Sequence, residues 1–328
     1  MRILVTGAAG LIGAPTTQLL LSQGHNVYGL DNFSDYYSPE MKRQRVNFFG
    51  LERIVRNIDI IEPRELDAVF EEHSPEIVVH LAARPGVRAK LEEWNQYNFA
   101  NVLGFQNVVN SAVKFKVRKL LYASSSSVYG KNASLPFIES DVGGQVSSYY
   151  AMSKRLNEYV GNFLPQKGIS TIGLRFFTVY GPWGRPDMAL LRFIAAAEMQ
   201  RQIPLTGNLE TLRDFTYVED VARIVATLVV DERFFKNEIF NISASDPQSL
   251  RRLMNILTDF GLECRYKQLE VSPFDAHITS GSTQKLLNFG ITPPDTDIQT
   301  GLSLTLDWVR TQNLIQLSKW VYPEHEIA

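Results

Sequence analysis

The sequence predicts an α/β protein built on a doubly wound parallel sheet, with a smaller α/β lobe at its C-terminal end. Short apolar runs typical of buried parallel strands recur through the first half of the chain: Arg2–Thr6, Asn26–Asp31, Ile77–Leu81, Lys119–Ser124 and Thr171–Phe176. Segments with helical spacing separate them: Leu11–Ser22, Arg64–His73, Tyr97–Lys114 and Tyr149–Leu164. This alternation of strand and helix is typical of βαβ units.

The pattern changes after Phe177, where a Gly/Pro-rich loop precedes an isolated helix from Met188 and further short elements. We expect a first domain over residues 1–178, to which the chain returns at about 213–243. Residues 179–212 and 244–328 then form the smaller lobe. This lobe is expected to cover the carboxyl edge of the sheet, where ligands bind in such folds.

Composition limits the classes of function. The 328 residues are 45% hydrophobic and 21% charged, which suffices for a sizeable core. The net charge of −2 offers no basic field for a nucleic acid or an anionic membrane. The single cysteine, Cys264, excludes an internal disulfide and a Cys-based zinc site, so no metal is expected and a cytoplasmic location fits best. No apolar run reaches the roughly 18 residues of a membrane span.

A glycine-rich turn follows the first predicted strand. Gly7-Ala8-Ala9-Gly10-Leu11-Ile12-Gly13 leads directly into a helix, which is the context that a dinucleotide-binding (Rossmann) turn requires. Gly7 permits the tight turn, Gly10 lets the backbone approach a pyrophosphate, and Gly13 allows close helix packing. The helix N-terminus is then directed at the anion. A purely structural turn is the alternative, and the position after the first strand disfavours it.

Polar groups at the ends of later strands extend this site. Asp31 ends the second strand, about 20 residues beyond the glycines, where its carboxylate accepts hydrogen bonds from ribose hydroxyls and repels a 2′-phosphate. NAD is therefore favoured over NADP, although a strand-terminal Asp also serves as a turn or cap residue. Asp59-Ile60 and Leu81-Ala82-Ala83 are expected beside the adenine and nicotinamide halves, with ordinary strand ends as the alternative.

A tyrosine and a lysine four residues apart form the candidate chemical centre. Tyr150 and Lys154 share one face at the start of a predicted helix. A phenol has a pKa of about 10, and a nearby ammonium and an oxidised nicotinamide both favour the phenolate that acts as a base. Ser125, within a serine cluster at a strand end, is expected beside Tyr150, although such serines also satisfy backbone groups. Tyr149 lacks a lysine at this spacing and is predicted to be a packing neighbour.

Taken together, these residues resemble the extended short-chain dehydrogenase family of nucleotide-sugar epimerases and dehydratases over essentially the whole chain. The family's motifs occur in its order: GxxGxxG, HLAA at His80–Ala83, Asn101-x-x-Gly104, SSSSVYG, YxxxK, Arg175-Phe-Phe, GPWGRPDMAL from Gly181 and RDFTYV from Arg213. Within the family, DNFSDYY from Asp31, GVR from Gly86 and RFFTVYGPWGRPDM resemble UDP-glucuronate 4-epimerases.

The resemblance implies a mechanism. Tyr150 removes the proton of the sugar's 4-hydroxyl while hydride passes from carbon 4 to NAD, and rotation of the 4-keto sugar lets both return to the other face. Lys154 holds the phenolate and the nicotinamide ribose, and Ser125 orients the reacting oxygen. The expected cofactor contacts are Gly7, Gly10, Leu11, Ile12, Gly13, Asp31, Asn32, Asp59, Ile60, Leu81, Ala82, Ala83, Asn101, Tyr150 and Lys154.

The serine cluster also indicates which reaction follows the keto sugar. Dehydratases of the family carry an Asp-Glu pair where this chain has Ser126-Ser127, and the related decarboxylases carry a Glu at the second position. Without an acid to deprotonate carbon 5, simple epimerisation is favoured.

A 4-keto uronic acid tends to lose carbon dioxide, so an epimerase must hold its carboxylate out of the alignment for cleavage. Arg185 and Thr178 are the candidates for this grip, because an Arg fork binds a carboxylate bidentately. A surface Arg185 paired with Asp187 is the alternative. The expected substrate contacts are Arg88 (an anion contact), Ser126, Ser127, Thr178, Arg185, Met188 and Arg213 (the diphosphate).

The leading hypothesis is thus NAD-dependent 4-epimerisation of a UDP-hexuronic acid, with NAD in the first domain and the nucleotide sugar in the smaller lobe. Another nucleotide-sugar epimerase, a decarboxylase or a dehydratase stays open, since Arg84-Pro85 replaces the Gln-Ala usual before GVR. An NAD-binding sensor or scaffold is the alternative outside enzymology. The resemblance also implies a homodimer through the helices at Tyr97–Lys114 and Tyr149–Leu164.

Overall fold

A computed structural model describes residues 1–131, 133–206, 208–269 and 278–322. Seven parallel strands form its main sheet: β1 (Arg2–Thr6), β2 (Asn26–Asp31), β3 (Val55–Asn57), β4 (Ile77–His80), β5 (Lys119–Ser125), β6 (Ser170–Phe176) and β10 (Lys236–Ile242). Their order across the sheet is β3-β2-β1-β4-β5-β6-β10. The winding reverses between β1 and β4, which opens a crevice at their carboxyl ends.

Helices cover both faces of this sheet. They are α1 (Gly13–Ser22), α2 (Pro39–Phe48), α3 (Pro63–His73), α4 (Trp94–Tyr97), α5 (Gly104–Lys114), α6 (Tyr149–Gly161) and α8 (Val218–Val230). Alternate residues of β1 face opposite sides: Ile3 packs in the core that includes α1 and α8, whereas Leu4 packs in the core that includes α3 and α5. Such burial on both faces explains why the strands read as continuous apolar runs.

The remaining elements lie over the carboxyl edge. A three-stranded sheet contains β7 (Thr178–Tyr180), β9 (Leu212–Tyr217) and β11 (Pro247–Ser249), and a two-stranded one contains β8 (Ile203–Thr206) and β12 (Tyr266–Leu269). The helices of this part are α7 (Ala189–Glu198), α9 (Leu250–Asp259), α10 (Gln284–Asn288), α11 (Ile298–Thr311) and α12 (Leu314–Val321). None of the helices in the described ranges has the length and apolar character to span a membrane.

The predicted fold class, a doubly wound parallel sheet, is confirmed. Helix α2 and the bounds of β3 were not predicted, because the polar composition of these segments hides the helix and strand periods. The strand end expected at Asp59-Ile60 corresponds to β3, which ends at Asn57. The predicted helix over Tyr97–Lys114 is a composite, in which a π-helical stretch at Asn98–Leu103 joins α4 to α5. The domain limits stay a proposal: α8 and β10 do return to the main sheet, whereas β9 pairs with β7 and β11. The cytoplasmic location also stays a prediction.

A buried ion pair fixes α6 on the main sheet. Glu158 of α6 receives hydrogen bonds from Arg175 of β6, through Nε and Nη2 at 2.9 Å each. The hydroxyl of Ser124 on β5 donates to the same carboxylate at 2.5 Å. Both charged side chains are nearly excluded from solvent. Helix α6 is therefore held at the ends of two neighbouring strands.

Replacing Glu158 by Gln should lower the free energy of unfolding by about 3–5 kcal/mol, because it leaves a buried guanidinium without its counter-charge. Replacing both partners by apolar residues (Arg175→Met with Glu158→Leu) should recover most of that loss. Denaturant unfolding measures both changes. The exposed pair of Arg265 and Glu263 supplies the control, since Glu263→Gln should leave the midpoint unchanged. Equal effects of Glu158→Gln and Glu263→Gln would contradict this account.

Candidate active site

A cavity of about 1910 Å³ runs along the carboxyl edge of the main sheet and continues into the C-terminal elements. With the exception of Asn101, all the residues predicted from the sequence to bind or react line it. The elements from β1 to α3 contribute Gly7, Gly10, Leu11, Ile12, Gly13, Asp31, Asn32, Asp59 and Ile60; the segments after β4 and β6 contribute Arg88, Thr178, Arg185, Met188 and Arg213. The ends of β4 and β5 and the start of α6 contribute Leu81, Ala82, Ala83, Ser125, Ser126, Ser127, Tyr150 and Lys154.

The turn from β1 to α1 has no room for side chains. Gly7 has a φ of +73°, and a Cβ there would lie 2.7 Å from the backbone nitrogen of Ala82. A Cβ on Gly13 would lie 2.0 Å from the carbonyl oxygen of Gly7. Among the described residues, no side chain caps the N-terminus of α1. In the described residues the N–H of Ala14 donates to the carbonyl oxygen of Gly10 and Pro15 has no N–H, so the N–H groups available to an anion such as a pyrophosphate are those of Leu11, Ile12 and Gly13.

The carboxylate of Asp31 stands beside this turn. Its Oδ2 accepts from the backbone N–H of Ala9 at 3.1 Å and its Oδ1 from that of Phe33 at 2.8 Å. Burial raises the pKa of Asp31, and Lys42 is the largest opposing influence. Further along the edge, the side chain of Asn32 donates to Asp59 at 2.8 Å. This glycine cradle, open helix end and fixed carboxylate fit the pyrophosphate and ribose of NAD.

Ser125 is oriented to donate to Tyr150. Its Oγ accepts from the hydroxyl of Ser127 at 2.9 Å and from the N–H of Ser127 at 3.2 Å. The proton of Ser125 is thus left for another acceptor, which is the phenolic oxygen of Tyr150. Burial raises the pKa of Tyr150, while the hydrogen bond from Ser125 and the charge of Arg185 lower it. The sequence predicted Ser127 as a substrate contact, and the structure adds its part in orienting Ser125.

Lys154, one turn further along α6 than Tyr150, is the more deeply buried of the two. Its Nζ donates to the carbonyl oxygen of Ala123 at the end of β5, at 2.9 Å, and lies 5.9 Å from the ring centroid of Tyr150. The side chain is fully buried, and burial lowers its pKa to about 8. Lys154 is thus buried, whereas Tyr150 is half-buried, and both line the cavity.

Asn101 has a different position from the one its motif indicated. It is buried behind the cavity, where its Oδ1 accepts from the N–H of Arg84 at 2.7 Å and its Nδ2 donates to the carbonyl of Arg84 at 3.0 Å. The same Nδ2 lies 3.1 Å from the hydroxyl of Ser153 on α6. Its side chain ties the segment after Ala83 to α6, and the cavity lies on the other side of that segment.

Arg185 pairs with Asp187 inside the cavity. Its Nε donates to Oδ1 of Asp187 at 3.0 Å and its Nη2 to Oδ2, which leaves Nη1 for another acceptor. Tyr36, which the sequence did not single out, donates to the same carboxylate at 3.3 Å. Burial alone would raise the pKa of Asp187, but Arg185 outweighs it and the net pKa is lowered. A guanidinium and its counter-ion thus line the cavity together.

The remaining predicted substrate residues named here also line the cavity. Thr178 begins β7, Met188 precedes α7, and Arg213 extends from β9. The neighbour of Arg213, Asp214, is buried and accepts from Ser243 at 2.5 Å and from the backbone N–H of Gly281 at 3.0 Å. Asp214 therefore anchors β9 to two later loops, and this position was not predicted from the sequence.

Residues 3–243 match the sequence model of the NAD dependent epimerase/dehydratase family. The chain belongs to this family. Protein CapI of Staphylococcus aureus is 36% identical over 327 residues, which cover 94% of this chain and 98% of that protein. The UDP-glucuronate 4-epimerase of Thermodesulfobacterium geofontis is 36% identical over 316 residues, covering 93% and 95%.

Solved structures of the family share the fold. The UDP-glucuronic acid 4-epimerase of Bacillus cereus, solved with UDP-glucuronic acid and NAD, superposes with a TM-score of 0.87. It is 27% identical, and the match covers 94% of this chain and 99% of that one. The predictions of an extended short-chain dehydrogenase, of an enzyme and of NAD as its cofactor are confirmed. This epimerase-family chain is NAD-dependent.

The burial of Lys154 predicts a dependence of stability on pH. With a folded pKa of about 8 against 10.5 for an ordinary lysine, the unfolded state binds the extra proton between these values. Stability therefore rises with pH in this window. Relative to Lys154→Met, the cofactor-free protein should gain about 2 kcal/mol between pH of about 7.5 and about 9.5, measured by denaturant unfolding.

Lys119 provides a matched control, because burial lowers its pKa to about 8 as well and it does not line the cavity. Relative to Lys119→Met, the wild type should gain stability with pH by the same amount. Lys119→Met should retain NAD binding, whereas Lys154→Met should weaken it. Parallel stability curves for the wild type and Lys154→Met would show that Lys154 is not buried as described.

Proposed function

We propose that this chain interconverts UDP-glucuronate and UDP-galacturonate by inversion at carbon 4. The observation that carries the proposal is the position of Arg185. Its guanidinium lines the same cavity as Tyr150 and lies close enough for its charge to lower the pKa of the phenol. A sugar whose 4-hydroxyl meets Tyr150 then presents its carboxylate, one carbon beyond the ring, towards Arg185.

The residues of the site supply the proton transfers. NAD, when bound, supplies the group that accepts hydride from carbon 4 and returns it. Tyr150 accepts the proton of the 4-hydroxyl in the same step and gives it back when the other face of the 4-keto sugar is reduced, so no proton is gained or lost. Ser125 donates a hydrogen bond to the reacting oxygens, and Lys154 provides a positive charge that favours the phenolate.

The acidic groups of the cavity favour epimerisation over dehydration or decarboxylation. Four carboxylates line it among the described residues. Asp31 and Asp59 lie at the adenosine end, Glu93 is paired with Arg84 at 3.2 Å, and Asp187 is paired with Arg185. Beside Tyr150 the chain has Ser126 and Ser127, which are poor acids and bases at neutral pH. This arrangement supports a reaction that needs only one proton carrier.

Arg185 serves as the carboxylate grip through its Nη1 edge, while Asp187 holds Nε and Nη2. The pair keeps the guanidinium in one orientation before the substrate arrives. An anion held on the Nη1 edge is stabilised as a carboxylate at a set angle, which opposes the loss of carbon dioxide from a 4-keto uronic acid. The names of several relatives, such as the epimerases of Thermodesulfobacterium geofontis and Bacillus cereus, support the same substrate.

The direct test is product analysis. The purified protein with NAD should convert UDP-glucuronate into a product of unchanged mass whose carbon 4 is inverted, as read by mass spectrometry and proton NMR. A product that has lost carbon dioxide would identify a decarboxylase, and a product that has lost water would identify a dehydratase. Conversion of UDP-glucose alone would identify a neutral-sugar epimerase.

Tyr150→Phe should retain NAD binding and lower turnover by about a hundredfold or more, because the proton acceptor is removed. Tyr149→Phe is the matched control: Tyr149 stacks on Trp94, with ring centroids 4.8 Å apart, and does not line the cavity. Turnover of the control should be near that of the wild type. Turnover by Tyr150→Phe at the wild-type rate would exclude Tyr150 as the base, whereas a wild type that binds NAD but turns over no nucleotide sugar would favour a binding protein.

Substitution of the Arg185 pair should separate charged from neutral sugars. Arg185→Ala should raise the KM for UDP-glucuronate at least about tenfold, since a charged hydrogen bond is lost, with a smaller effect on UDP-glucose binding. Asp187→Asn keeps the guanidinium but removes its counter-charge, and should strengthen uronate binding. Steady-state kinetics and calorimetry measure these effects. Equal losses for both sugars in Arg185→Ala would exclude the carboxylate grip.

We further propose that the protein is a homodimer. An exposed apolar face extends over the π-helical stretch Asn98–Leu103 and α6, which are in contact with each other. It contains Phe99, Tyr159 and Phe163, whose exposed fractions are 52%, 63% and 65%. Met152 and Leu156 on α6 continue the same face. A second copy of the same helices would bury it by two-fold pairing of the two helices into a four-helix bundle.

Leu156→Asp combined with Phe163→Asp should convert a dimer into a monomer, because two unpaired charges would be buried in the interface. Size-exclusion chromatography with light scattering gives the mass. Ile315→Asp, at an exposed residue on α12, is the control and should leave the mass at twice that of one chain. A monomeric wild type would reject the interface.

A further inference from the structure

Arg45 on α2 is a buried arginine whose hydrogen bonds join two loops. It is fully excluded from solvent, and no carboxylate in the described part of the chain forms an ion pair with it. Its Nη1 donates to the carbonyl oxygen of Ala9 at 2.6 Å, and its Nη2 donates to that of Trp183 at 2.6 Å. Nη1 also donates to the phenolic oxygen of Tyr37 at 2.8 Å.

The first of these contacts acts on the glycine-rich turn. The peptide N–H of Ala9 donates to Asp31 at 3.1 Å, and the carbonyl of the same residue accepts from Arg45. Ala9 is thus held on both sides, by the carboxylate placed for the ribose and by the guanidinium. Because Ala9 directly precedes Gly10, these two hydrogen bonds fix the backbone position of the turn against which a pyrophosphate would bind.

The second contact acts on the loop that carries Arg185. Trp183 stands two residues before Arg185 and has a φ of +59°, a conformation that costs about 1 kcal/mol or more for a residue with a large side chain. Its ring is buried against Trp308 and Trp320, with centroid distances of 5.1 and 6.3 Å. The packing of the ring and the hydrogen bond from Arg45 to the carbonyl together stabilise this strained backbone. They thereby fix the position of the backbone that leads into Arg185.

Packing alone does not require an arginine at this position. Burying a guanidinium without a counter-charge costs several kcal/mol, whereas a Met or Leu would fill similar space without that cost. What an arginine adds is a planar fork that reaches two carbonyls at once, which the single ammonium of a lysine does not do. The neighbouring Met41 of α2, also fully buried, packs among the residues of the C-terminal core and contributes packing only.

We propose that Arg45 is a positioning residue that sets the loop before Arg185 relative to the cofactor turn. The carboxylate grip and the pyrophosphate cradle then share one buried guanidinium, and the distance between the substrate's carboxylate and the nicotinamide end depends on it. This inference rests on the proposed function, since it assigns Arg185 to the substrate.

Three variants test the proposal: Arg45→Met, Arg45→Lys and, as the packing control, Met41→Ala. Calorimetry gives the Kd for NAD, and for UDP-glucuronate in the presence of NAD; thermal unfolding gives the midpoint of each variant. Arg45→Met should weaken both ligands by about tenfold or more, and raise KM for the sugar more than it lowers kcat. Arg45→Lys should restore one of the two affinities at most. Met41→Ala should lower the midpoint while keeping both Kd values within about twofold.

The proposal is overturned if Met41→Ala weakens the ligands as much as Arg45→Met does, because destabilisation alone then explains the loss. It is equally overturned if Arg45→Met weakens NAD only, or changes the midpoint only. Where Arg45→Met does not fold, the comparison of Arg45→Lys with the wild type decides. A wild type that does not bind UDP-glucuronate rejects the proposed function, and the Arg45 comparison is then made with NAD and the nucleotide sugar that the wild type turns over.

Discussion

Tyr150 and Lys154 lie where burial disfavours both of the charges that proton transfer needs. Burial raises the pKa of the phenol and lowers that of the ammonium to about 8. The rest of the site opposes this effect: Ser127 orients Ser125, Ser125 donates to the phenol, and Arg185 adds positive charge. Partial burial also strengthens each of these interactions, so a few well-placed donors would suffice for Tyr150 to act as the proposed base.

This arrangement requires a rigid support, and the support is polar. Glu158 and Arg175 form a buried pair that holds α6 against β6, so that Tyr150 stays in register with the serine cluster at the end of β5. Asp214 does the same for β9, through backbone and hydroxyl donors from later loops. Such networks are expensive to break, because removal of one member leaves the others buried without partners. They account for the precision with which distant segments meet at the sugar end.

At the proposed substrate end of the cavity, the carboxylate of Asp187 orients the side chain of Arg185. Asp187 accepts from Nε and Nη2 of Arg185 and from Tyr36, so the guanidinium is oriented and partly neutralised where it lines the cavity. Specificity for an acidic sugar would then come from geometry as much as from charge, since only a carboxylate on the remaining edge adds a charged hydrogen bond. Through Trp183, the same loop is linked to Arg45 and thereby to the turn built for the cofactor.

Local sequence determined the features that depend on neighbouring residues alone. The bounds of β1 and β2, the glycine turn and the pairing of Tyr150 with Lys154 follow from strand periodicity, from the absence of a Cβ and from helical spacing. Tertiary structure decided what depends on contacts between remote segments. Asn101 belongs to a cofactor motif yet bonds to the backbone of Arg84, and Arg45 lies in a helix whose polar composition concealed it. The pattern of apolar side chains indicates which face of an element is buried. The residues that a buried side chain contacts depend on how the strands and loops converge at the edge of the sheet.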